Sequence, residues 1–174
     1  MRYSCLILTV KSVHPVLLSG LRDYLKVVEE ISLVLAKHFG WRLRGLALSG
    51  RALTTRREED PLYLLAVFKG IEKISFYARG EYTVYFLNKV RNTESYRNFV
   101  SKYALEPPVY ILPVDVKELK YGIPFLVDLL IRAVVLYDPD GEVKKAIELF
   151  NRRVTKTDFG FSMGITRAGE VKEA

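Results

Sequence analysis

Five arginines fall between Arg42 and Arg57, directly ahead of the acidic triplet Glu58-Glu59-Asp60. On a chain of net charge +7 such a cluster can face phosphate, since an excess of this sign draws polyanions. The other reading is a solvated loop, which is taken for Arg56 and Arg57. A second group is aromatic. Tyr77, Tyr82, Tyr85 and Phe86 can offer rings on which bases stack, although β-propensity by itself accounts for them as residues that pack a sheet face. His14 precedes a proline, and His38 falls near a helix C-terminus where positive charge is favourable, so neither points to catalysis or zinc. Cys5 is the only cysteine, which excludes an intramolecular disulfide and a site built on several thiolates.

The elements that must position these residues follow from periodicity and punctuation. Residues 3 to 10 form an apolar run ended by Lys11, which reads as a strand and not a signal peptide. From Leu21 to Phe39, apolar residues recur at spacings of three and four, an amphipathic helix that Ser19 can cap and that Gly40 stops at a backbone conformation glycine adopts cheaply. WRLRGLAL, residues 41 to 48, reads as a strand with a wet face at its start. LYLLAVF, residues 62 to 68, is continuously apolar and suits a central strand covered on both faces. KISFYA (73 to 78) and EYTVYFL (81 to 87) read as a hairpin turned at Arg79-Gly80.

Thr93 caps a second helix carrying Tyr96, Phe99, Val100 and Tyr103, which Pro107-Pro108 stops. VYILPVDV, residues 109 to 116, is a strand whose Pro113 argues for a sheet edge or a bulge. A helix from about Phe125, a strand at 134 to 138, a turn at Asp140-Gly141 and a helix from Val143 to Phe150 complete the pattern. Residues 1–154 are expected to form one α/β (α+β) domain, a mixed central sheet flanked by helices, with 155–174 as an extended or mobile tail.

The ordered series of helix, strand ending in Ser49-Gly50, charged loop, apolar strand and later strand carrying Asp115 resembles the minimal nucleotidyltransferases of the DNA polymerase β superfamily. LALSGRA is similar to the family's apolar-Gly-Ser-Arg-Ala pattern, with Ser49 and Gly50 in swapped order and Arg51-Ala52 in agreement. PVDVKEL contains Asp115, and LLIRAVVLYDPDG is similar to the family's closing helix and strand. The resemblance covers about Leu21 to Phe150. It implies that Ser49, Gly50 and Arg51 cradle a nucleoside triphosphate, and that Asp60 and Asp115 act as catalytic carboxylates holding magnesium. A helical protein partner is implied as well.

Pro61 and Tyr63 stand where the family has its paired aspartates, so the magnesium set is reduced to Asp60 and Asp115. Two functions follow from the resemblance. One is a degenerate member that binds nucleotide, RNA or a partner protein without efficient catalysis. The other is an active enzyme that moves a nucleoside monophosphate to a hydroxyl on protein or nucleic acid. Glutamine is absent and Asn occurs four times while Lys, Arg and Glu are plentiful, a composition expected of a thermophile. The stretch 125–137 is too short to span a bilayer and carries Asp128 and Arg132, so a cytoplasmic location without a membrane segment is expected.

Overall fold

A computed structural model describes residues 21–155. The expected strand at 3 to 10, the Ser19 cap, Cys5, His14 and the tail beyond Thr155 lie outside the described residues. The first helix, α1 (Arg22–Phe39), ends at Gly40, whose φ of 53° is cheap only for glycine. A short 3-10 turn (Gly40–Arg42) takes up Trp41 and Arg42, so the expected strand begins later, as β1 (Leu43–Ser49). There follow α2 (Ala52–Thr55), β2 (Leu62–Phe68), α3 (Phe76–Val90), α4 (Glu94–Tyr103), β3 (Val109–Asp115), α5 (Pro124–Ile131), β4 (Val134–Tyr137) and α6 (Glu142–Thr155).

The sheet order is β3-β2-β1-β4, with β1 antiparallel to both β2 and β4 and β2 parallel to β3. The continuous apolar run of β2 is explained by burial on both faces. Leu62, Leu64, Ala66 and Phe68 point into one core with α1, α3 and α4, while Leu65 and Val67 point into a second with α5 and α6. This is the mixed α/β sheet with helices on both sides that the pattern predicts. No helix among the described residues is long and apolar enough to cross a membrane.

The expected hairpin at 73 to 87 is not formed; from Phe76 onward the segment belongs to the helix α3. Ser75 starts it by accepting the Ala78 N–H at 3.3 Å. Arg79, Thr83, Phe86 and Val90 then recur at spacings of four, three and four, and this face turns inward. Arg79 and Thr83 donate to the Pro113 and Ile111 carbonyls, so α3 covers the outer edge of β3. Pro113, which has no N–H to leave exposed, sits on that edge strand as expected. The apolar alternation that suggested strands was outweighed by this tertiary docking.

Candidate functional site

Strand direction decides where the expected site residues lie. Because β1 runs antiparallel to β2, Ser49 pairs with Tyr63 at the start of β2. Because β3 runs parallel to β2, Asp115 pairs with Phe68 at the end of β2. Tyr63 and Phe68 are five positions apart, which places the two residues about 17 Å apart along the sheet at the usual strand rise. The three strands are side by side as expected, but Asp115 does not converge with the Ser49 loop.

Each carboxylate is also engaged within the chain. Asp115 is 1% exposed; its Oδ2 accepts from Gly70 N (2.8 Å) and Ile71 N (2.9 Å), and its Oδ1 from Lys117 N (2.9 Å). Burial pushes this carboxyl up, but the Lys117, Ile71 and Gly70 amides together outweigh it and hold it below the ordinary value. Asp60 accepts from the Thr55 hydroxyl at 2.5 Å and lies 3.6 Å from Arg51 Nε. A magnesium ion shared by Asp60 and Asp115 does not fit this arrangement. Among the described residues, no group of three or more His, Cys, Asp or Glu side chains is placed to hold a metal.

The Ser49-Gly50-Arg51 loop is closed by its own chain. Gly50 has φ 127°, and a Cβ there would meet the Pro61 carbonyl oxygen at 2.4 Å. The Ala52 N–H donates to that same oxygen at 3.4 Å, and the Leu53 N–H to Gly50 O at 3.3 Å. Glycine is therefore required for contact with Pro61. At this end of the sheet, the β3 residue beside Tyr63 is Tyr110, and the two rings stack with centroids 5.5 Å apart; Phe125 meets Tyr63 edge-on at 6.0 Å. Aromatic rings thus crowd the start of β2 and β3.

The opposite end carries two features that sequence reasoning missed. Arg79, 3% exposed, grips Glu118 through two bonds of 2.6 and 2.8 Å and also donates to the Ile74 and Ile71 carbonyls. The inward helical spacing of residue 79 was the only signal available, and it was hidden by the hairpin reading. Beside this pair opens a cleft of about 600 Å³, within the range of small-ligand sites, between the end of α1, the 3-10 turn, the loop after β2, and α3. Trp41, Tyr82, Phe86, His38, Arg42 and Lys69 are among its lining residues, and none of the lining residues is acidic. Of the four aromatics expected to pack a sheet face, only Phe86 is buried; Tyr77, Tyr82 and Tyr85 are exposed on α3.

No protein-family model, curated protein or solved structure matches the chain.

Proposed function

We propose that this chain is a non-catalytic binding protein on a nucleotidyltransferase-like scaffold, with nucleotide or RNA as its ligand. The observation that carries this reading is the separation of Asp60 and Asp115 to opposite ends of the sheet, each engaged by donors of its own chain. Transfer of a nucleotidyl group through paired metal ions needs several oxygens converging on one place, and the two carboxylates do not converge. Binding needs no such convergence. A net charge of +7 and a cleft without acidic lining favour an anionic ligand.

The test is to incubate purified protein with labelled nucleoside triphosphates, magnesium or manganese, and RNA or protein acceptors, and to measure retention of ligand and transfer of label in parallel. Retention without transfer is the expected outcome. Robust transfer that is lost on Asp60→Asn would overturn the proposal, and absence of any nucleotide or RNA binding would overturn it equally.

A further inference from the structure

The cleft beside Arg79 holds an imbalance of charge that its surroundings do not correct. Of the carboxylates near the cleft, Asp115 is engaged by three amides, Glu118 by Arg79, and Glu72 by Lys117 through Oε1 at 2.6 Å, while the buried Oε2 of Glu72 has no hydrogen-bond partner and Glu81 is exposed on α3 outside the cleft lining. Arg42 and Lys69 line the cleft, are exposed, and have no ion-pair partner among the described residues. The cleft lining itself therefore carries exposed cations and no carboxylate.

The same rim is aromatic. Trp41 is 62% exposed and Tyr82 45% exposed, both on the cleft, and the Arg42 guanidinium lies 5.9 Å from the Trp41 ring centroid. The series continues past the cleft. One helical turn beyond Tyr82, the exposed Tyr85 carries Lys89 Nζ over its ring at 4.5 Å. A lone nucleotide would use the cleft alone, whereas rings and cations in succession along Trp41, Tyr82 and Tyr85 suit a chain of bases and phosphates. A protein partner would bury the rings but leave Arg42, Lys69 and Lys89 unmatched unless it were itself acidic.

Resting on the binding reading above, we propose that this cleft and the adjoining face of α3 bind a single-stranded polynucleotide, with bases stacked on Trp41 and Tyr82 and phosphates on Arg42, Lys69 and Lys89. The site lies at the end of the sheet opposite the Ser49-Gly50-Arg51 loop.

Trp41 is the only tryptophan in the chain, so its fluorescence reports directly on this site in the unaltered protein. Short oligouridine and oligothymidine, titrated at low salt, should quench it, and the two arms distinguish RNA from DNA as the source of the strand. By fluorescence anisotropy with labelled strands, Trp41→Ala and Tyr82→Ala should each weaken binding roughly tenfold, the loss of one stacked base. Arg42→Ala and Lys69→Ala should each lower the salt slope by about 0.7, the loss of one single-strand phosphate contact. Arg57→Ala and Tyr110→Ala, away from the cleft, should bind as the wild type does.

Binding that ignores the cleft variants but falls in Arg51→Ala would overturn this site and leave the binding reading intact. Uridine monophosphate binding as tightly as the oligomer would overturn the strand. Self-association that buries Trp41 and is indifferent to oligonucleotide would assign the face to a second copy and also overturn it. No binding of any strand or nucleotide by the wild type would remove both proposals.

Discussion

At the end of β3 a carboxylate that burial would ordinarily drive toward its neutral form is held ionised by three backbone amides, so Asp115 ties the loop after β2 to the turn after β3. Asp115→Asn should cost about 2 kcal/mol at neutral pH, since hydrogen bonds to a charged acceptor are the stronger kind. The sign of its pH dependence follows from the depressed folded value. The contribution is present above the unfolded value near 3.8 and is lost as pH falls through the folded value. Urea unfolding of wild type and variant should therefore differ most near neutrality and converge below pH 3.8. A gap that stays constant into acid would show that the charge is not what holds these amides. The backbone role was invisible beforehand because the partners, Gly70 and Ile71, lie 45 and 44 residues away in the chain.

The helix α3 makes a prediction of opposite sign to the hairpin it replaces. Gly80 would supply positive φ in a turn, and alanine there would be strained. In the helix Gly80 has no positive φ, and a Cβ at that position meets nothing within 4 Å. Gly80→Ala should therefore stabilise the protein by about 0.5–1 kcal/mol, read as a higher midpoint in thermal unfolding. A lower midpoint would contradict a helix through residue 80. In β1 the argument reverses. A Cβ on Gly45 would stand 2.5 Å from Val143 Cγ2 and 3.3 Å from the Tyr137 carbonyl oxygen, because α6 packs directly on the strand. Gly45→Val should cost about 1–3 kcal/mol by overpacking, measured by urea denaturation.

Across the molecule, the Arg79–Glu118 pair joins α3 to the turn after β3 over 39 positions of sequence, and Glu118 also accepts the Asp115 N–H at 2.8 Å. Removing one partner leaves the other charge buried, so Glu118→Ala should destabilise by about 3–5 kcal/mol. The double variant Arg79→Met with Glu118→Leu should lose less than the sum of the single changes, because no orphaned charge remains. Additive losses in a double-mutant cycle would mean that the pair is not coupled. Arg79 lines the cleft and Glu118 does not, so Glu118→Ala should weaken polynucleotide binding only through the position of Arg79 and α3.

Most elements were legible in the sequence because their causes are local. Helical spacing set α1 and α4, double-faced apolarity set β2, and Pro113 marked an edge strand. Ser49, Gly50 and Asp60 could likewise be placed at the ends of their elements from punctuation alone. Three things required the tertiary structure. Residues 76–90 satisfy a strand pattern and a helix pattern at once, and contact of Arg79 and Thr83 with β3 and its following turn decided for the helix. Exposure of Tyr82 and Tyr85 followed from that choice, since a helix turns them away from the core that a strand face would have met. The separation of Asp60 from Asp115 depended on the direction in which β3 lies beside β2, a property of chain crossing that no residue in either strand encodes by itself.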